Sequence, residues 1–342
     1  MISIKKINSN NIYLISDIHA NLNLFKKAIK DIDLDKEYLF ILGDLFEKGN
    51  LNIKTLDYLM DLKERYPNNL FMIRGNCDNV LKEFYYPRDK EKLKRYSLVL
   101  KKTILNEFLE GIGININSSY DLDKALDLVI IKYKKYFDFV NNLDEGYFIN
   151  EKILLTHADL DESIKKSIIL KEEFNKFKYK LNVVGHMPVM MYKDSPNMDP
   201  LKIKDVLYID GGNNVVEFGG LNLVKLDLDT LNYTFTTFYN YRLAYVIKDI
   251  EGSGNIYIPK KTKVDKFELI NDFYKVYINE KLLYVTKNNL INNSYCYDAS
   301  NIFLSLNKND LVNVAYMGKD ISIIIKNNNA GFVYTKYLKM LN

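Results

Sequence analysis

A chain of 342 residues has room for one large domain and a smaller one. Its 48 Lys and Arg against 44 Asp and Glu leave a net charge of +4, too weak a basic field to argue for a nucleic-acid partner, and 47% hydrophobic residues is ordinary for a soluble globular fold. The N-terminal M-I-S-I-K-K-I-N-S has no signal-peptide core and no apolar run is long enough to span a bilayer, so a cytoplasmic protein without a membrane partner is expected.

Ile12 to Ile15, Tyr38 to Leu42 and Leu70 to Ile73 are short apolar runs that predict strands. Each feeds a polar motif: Ser16-Asp17-Ile18-His19-Ala20-Asn21, Gly43 to Gly49 (G-D-L-F-E-K-G), and Arg74 to Asp78 (R-G-N-C-D). Between them, Leu22, Phe25, Ile29 and Ile32 share one helical face, as do Ile53, Leu56, Leu59 and Met60. Asp17, Asp44 and Asn76 are 27 and 32 residues apart, close to one βαβ unit. These polar groups therefore belong just past the C-terminal ends of parallel strands, where open α/β sheets place their ligands.

Residues 89–110 and 123–142 carry the stripes of two amphipathic helices, broken by Gly111-Ile112-Gly113. Such stripes favour an insert packed on the sheet over a lid across a site. Strands resume at Lys152 to Leu155, Leu181 to Val184 and Val206 to Ile209, leading into His157, Gly185-His186-Met187-Pro188 and Ile209-Asp210-Gly211-Gly212. Leu221 to Leu228 and Tyr233 to Tyr239 then read as a hairpin around Asp229-Thr230.

After about Val246 the pattern changes, and Glu251-Gly252-Ser253-Gly254 reads as a linker. The expected division is a first domain over 1–248 and an all-β region over 255–342, split into modules at 255–290 and 300–342. Cys77 and Cys296, far apart in sequence, argue against a disulfide framework.

The three histidines of the chain, His19, His157 and His186, all fall inside these motifs. Imidazole with carboxylate and amide oxygens suits zinc, iron or manganese, which gives the set its chemical sense. The six blocks, in this order, resemble the metallophosphoesterase (calcineurin-like) superfamily, closest to the bacterial and phage serine/threonine protein phosphatases, over roughly the first 230 residues. That resemblance implies a four-layer α/β/β/α sandwich with a helical insert. It implies that Asp17 and His19 bind a first metal, that Asp44 bridges, and that Asn76, His157 and His186 bind a second. Manganese is the expected ion, with iron or zinc as alternatives. Arg74 is expected to grip phosphate, with Asn76 and Lys48 beside it. The tail Gly331 to Leu338 resembles the end of a bacterial SH3-like barrel, which implies a protein or polymer partner for the C-terminal region.

Three departures bear on activity. Glu47-Lys48-Gly49 stands for the family's D-R-G, so a forked donor becomes a point charge. Pro188 stands where other branches carry a second His, and the interval of 28 residues between His157 and His186 lacks the Arg of larger eukaryotic relatives. Cys77, ahead of Asp78, replaces the His expected to protonate the leaving group. The primary expectation is a phosphoprotein phosphatase-like enzyme using a metal-bridging hydroxide, acting on a phosphorylated protein or a small phosphoester. Cys77 keeps open a phosphodiesterase or nucleotide polyphosphate hydrolase, and the fold also serves elsewhere as a non-catalytic scaffold. Cys77 reads equally as a small inert residue or an altered leaving-group site. Asp210 reads as a strand-end turn before it reads as support for His186.

Overall fold

The computed structural model describes residues 2–85, 88–99, 103–115, 121–159, 177–193, 195–216, 218–252, 257–258, 262–264, 266–270, 273–278, 281–286, 290–291, 294–295, 299–300 and 303–341. Within these the chain forms two compact units. One comprises Met1–Met187, Pro200–Asn214 and Leu221–Phe238; the other comprises Pro188–Asp199, Val215–Gly220 and Tyr239–Asn342.

In chain order the first unit contains β1 (Ile2–Lys5), β2 (Asn11–Ile15), α1 (Leu22–Ile29), β3 (Leu39–Leu42), α2 (Asn52–Arg65), β4 (Leu70–Ile73), α3 (Lys90–Val99), α4 (Ile104–Gly111), α5 (Leu122–Lys132) and α6 (Lys134–Asn141). It continues with β5 (Gly146–Ile149), β6 (Ile153–Thr156), β7 (Leu181–Val184), β8 (Leu201–Ile203), β9 (Val206–Tyr208), β10 (Leu221–Asp227) and β11 (Tyr233–Phe238). One sheet runs β11-β10-β2-β3-β4 and the other β1-β5-β6-β7-β9-β8. β2, β3 and β4 are parallel, as are β6, β7 and β9, so both sheets open their C-terminal strand ends to loops.

Strand alternation builds the layers. Ile12, Leu14, Phe40, Leu42, Phe71 and Ile73 point into a core shared with Ile149, Ile153, Leu155, Leu181 and Val183 of the opposite sheet. The intervening Ile15, Leu39, Ile41, Leu70 and Met72 point the other way, against Phe25, Leu56, Leu59, Phe108, Leu126 and Phe137 of the helices. On the outer face of the second sheet, Ile2, Phe148 and Leu154 pack with Phe177 and Tyr179. Residues 160–176, which lead from β6 towards β7, lie outside the described residues.

The insert packs as core rather than lid, with Ile104, Leu105, Phe108, Leu126 and Phe137 fully buried. Each expected helix is two. Thr103 caps α4 by accepting the Asn106 amide, and Tyr133 ends α5 before α6 begins.

Among the described residues the second unit is mainly β, with two short 3-10 turns at Val189–Tyr192 and Thr335–Tyr337. Its five-stranded antiparallel sheet runs Asn329–Tyr334, Ile321–Lys326, Leu311–Tyr316, Arg242–Val246, Leu338–Met340. The strand Arg242–Val246 thus lies between two strands from the last forty residues, ahead of the boundary expected near 248. Met190, Met198, Val216 and Phe218 join Phe273, Ile323 and Phe332 in its core, so two short earlier segments also belong to it. A three-stranded meander, Lys266–Ile270, Phe273–Ile278 and Lys281–Thr286, completes its larger elements. Residues 253–254 of the expected linker, and Cys296, lie outside the described residues.

Candidate metal centre

Strand ends deliver the six expected ligands. Asp17 and His19 follow β2, Asp44 follows β3, Asn76 follows β4, His157 follows β6 and His186 follows β7. The loops are stitched by main-chain bonds: the Asp17 amide donates to the Gly43 carbonyl at 3.0 Å, His19 to Asp44 at 3.0 Å, and Gly185 to His157 at 2.9 Å. Asp17, His19, Asp44, Glu47, Lys48 and His186 all hold positive φ, from 47° to 72°. Non-glycine residues rarely adopt this conformation, which gathers at sites where the surroundings over-determine it. Glycine is required at two close approaches. A Cβ on Gly75 would stand 2.2 Å from the Asp44 amide nitrogen, and one on Gly185 would stand 2.3 Å from Asp17 Oδ2.

Two groups of donors meet at Asp44. His19, Asp44 and Cys77 place ligand atoms within 4.8 Å of one another, as do Asp44, His157 and His186. His19 Nε2 is 3.7 Å from both Asp17 Oδ1 and Asp44 Oδ2. His157 Nε2 is 3.3 Å from Asp44 Oδ1 and 2.9 Å from Asn76 Oδ1. The His157 and His186 rings lie 5.1 Å apart.

This arrangement fits divalent cations. His157 Nδ1 lies 2.7 Å from the Leu42 carbonyl, which only accepts, so Nδ1 carries the proton in the neutral ring. Nε2 then turns a lone pair towards two oxygens that are also acceptors. Asp17 Oδ1 is buried with no hydrogen-bond partner. Acceptors converging in a buried space are what a cation satisfies and what water-free packing does not.

Electrostatics follow from burial. Burial, then Asp44, push the Asp17 carboxyl well above its ordinary value. Burial pushes the His19 imidazole down to about 4, with Asp44 opposing. Burial also raises Asp44, but His157, His19 and the Cys77 contacts outweigh it and the net direction is down. Burial and the Asp44 carboxylate push the Cys77 thiol up.

Lys48 is exposed but feels the acidic groups of the centre, while Arg74 is engaged with Glu145. Desolvation pulls the Lys48 ammonium down, but Cys77, Asp44, Asp17 and Asp210 together raise it. Arg74 instead pairs through Nη2 with Glu145, and its Nη1 donates to the Asn141 carbonyl at 3.4 Å. Asp78 is fully buried and pinned by two amides, accepting from Leu45 at 2.9 Å and from Gly75 at 2.7 Å. Burial and Asp44 push its carboxyl up to about 7. Asp210 makes a turn, Oδ1 accepting from Gly212 at 2.7 Å, while Oδ2 is buried without a partner.

Sequence reasoning missed the asparagines that shape the first loop. Asn213 Nδ2 donates to the Asp17 and Ile18 carbonyls at 3.2 and 2.7 Å, and Asn214 Nδ2 donates to the His19 carbonyl at 2.9 Å. Their signal was the Asn-Asn doublet directly after Gly211-Gly212. Glu145, the partner of Arg74, had no such signal.

The profile of the calcineurin-like phosphoesterase family matches residues 11–216, from β2 through every residue of this centre. The symmetrical bis(5'-nucleosyl)-tetraphosphatase of Buchnera aphidicola subsp. Schizaphis graminum (strain Sg) is 26% identical over 261 residues, 76% of each chain. Among solved structures, a Saccharomyces cerevisiae serine/threonine phosphatase with similarity to human phosphatase PP5 superposes with a TM-score of 0.43 at 11% identity, over 70% of this chain and 83% of that one. A putative diadenosine tetraphosphatase does so with a TM-score of 0.39 at 13% identity, over 70% of this chain and all of that one.

Proposed function

Because the chain belongs to the calcineurin-like phosphoesterase family, we propose that it is a two-metal hydrolase of phosphoric anhydrides, of the dinucleoside polyphosphate class. One observation carries the choice of substrate. The position of the family's proton-donating histidine holds Cys77, whose thiol burial and Asp44 drive away from acidity. An alcohol leaving group benefits from a positioned acid, worth ~10²–10⁴-fold; a nucleoside diphosphate leaves as a stable anion and needs none. The 26% identity to a symmetrical bis(5'-nucleosyl)-tetraphosphatase supports the same class.

Asp17, His19 and Asp44 would hold one cation, and Asp44, Asn76, His157 and His186 the second. Divalent metals in such a pair supply Lewis-acid polarisation and a nucleophile from water at neutral pH. The residues of the chain do the rest. Lys48 presents an ammonium to the non-bridging oxygens as charge develops. Asp78 fixes the loop of Leu45 to the loop of Gly75, which holds Asp44 and Asn76 in register. Asn213 and Asn214 hold the carbonyls of the first loop, so Asp17 and His19 keep their direction. Arg74 serves as a structural brace through Glu145.

The motif order, with Gly185-His186-Met187-Pro188, favours a second reading, a phosphoprotein monoesterase using manganese. The test compares diadenosine tetraphosphate, p-nitrophenyl phosphate, bis-p-nitrophenyl phosphate and a phosphoserine peptide on one metal-loaded preparation. The tetraphosphate should give two nucleoside diphosphates and the highest kcat/KM. A phosphopeptide turned over faster than the tetraphosphate would overturn the anhydride reading in favour of the monoesterase.

A further inference from the structure

Cys77 takes the place of the family's proton donor and stands close to the candidate ligand atoms. Its Sγ lies within 4.8 Å of a His19 ring nitrogen and an Asp44 carboxylate oxygen. His19 and Asp44 are almost wholly buried, with 1% and 2% exposure. Beside His19, Asp17 Oδ1 is buried without a hydrogen-bond partner, 3.7 Å from His19 Nε2. The backbone of Cys77 is tied to this group, its amide donating to Asp44 Oδ1 at 2.8 Å. Its sulfur in turn accepts from Asn76 Nδ2 at 3.6 Å.

We propose that Cys77 is a metal ligand, its thiolate joining Asp17, His19 and Asp44 around the first cation. This rests on the two-metal reading above and deepens it. The thiol proton is released to solvent as the cation binds. Thiolate is a soft donor that selects zinc or iron over manganese, whereas Asp44, Asn76, His157 and His186 offer only oxygen and nitrogen. The two positions are therefore unequal, with zinc or iron favoured beside Cys77.

The test uses the full chain, stripped by a chelator and titrated with cobalt(II). The wild type should take two cobalt ions and develop thiolate-to-cobalt charge-transfer absorption in the near ultraviolet. Cys77→Ser should lose that absorption, keep the second cobalt, and bind the first at least ~10-fold more weakly, a floor set by what losing even an outer partner costs a metal site. Cys296→Ser should keep the absorption. Two bound cobalt ions without charge-transfer absorption in the wild type, or absorption that follows Cys296, would overturn the proposal and leave the two-metal reading standing. A wild type that binds no cobalt would overturn both. Should Cys77→Ser fail to fold, the wild-type and Cys296→Ser spectra decide alone.

Discussion

Glu47 Oε1 accepts the backbone amide of Ile104 at 2.9 Å, so a residue of the G-D-L-F-E-K-G loop caps the first turn of a helix fifty-seven residues away. Glu47 is 4% exposed, and the amide it satisfies has no water to turn to. Glu47→Ala should therefore cost about 1–3 kcal/mol. Glu47→Gln, which keeps an acceptor oxygen, should cost less. Urea denaturation of the two variants checks the order, and equal losses would show that charge rather than the acceptor matters.

The close approach at Gly75 makes a sharper demand. A methyl there meets the Asp44 amide nitrogen and carboxylate oxygen at 2.2 Å, too near for any side chain rearrangement to absorb. Gly75→Ala should displace the Asp44 loop and strip bound metal while leaving most secondary structure. Elemental analysis beside circular dichroism checks this; full metal content in a folded Gly75→Ala protein would contradict the packing.

Arg74 separates two roles by kind of measurement. Paired with Glu145, it braces the loop after β4, and Arg74→Ala should cost about 1.5–3 kcal/mol of stability without changing metal content. A KM for the phosphate substrate raised ~10-fold or more at unchanged stability would return Arg74 to the phosphate-gripping role that the resemblance implies.

The hairpin of β10 and β11 offers a pH test away from the metals. Asp227 Oδ1 accepts from the Asp229 amide, the Thr230 amide and the Thr230 hydroxyl at 2.9, 2.7 and 2.9 Å. The Thr230 amide, first, and then its hydroxyl hold the carboxyl below its ordinary value. A depressed folded pKa gives stability that is present above the unfolded value of ~3.9 and lost as pH falls through the folded one. The stability gap between wild type and Asp227→Ala should thus be full at pH 7 and close progressively below about pH 4. A gap independent of pH would place its origin elsewhere than in the carboxylate.

Much of this architecture was legible because its signals are local. Leu70 to Ile73 is a run of four apolar residues ending at a motif, and it is β4. The placement of the six candidate residues at strand ends was readable because strand ends and motif spacing point to the same place. β5 escaped notice because it turns into β6 through Asn150-Glu151, at φ of 48° and 56°, without the glycine that usually marks such a turn. Arg242–Val246 looked like the tail of the first domain, because its partners, Leu311–Tyr316 and Leu338–Met340, lie sixty and more residues away. Long-range pairing leaves no local mark. Nor could spacing say that Arg74 would find Glu145.

The left-handed backbone at Asp17, His19, Asp44 and His186 has a kinetic consequence. Conformations of this kind cost of order 1–3 kcal/mol each, and that cost falls on folding rather than on binding. If these residues hold a cation, their backbones are already set when it arrives. Its entry should be set by how fast it sheds its own water. Ions that exchange water quickly should load quickly, and slow-exchanging ions slowly, whichever binds more tightly in the end.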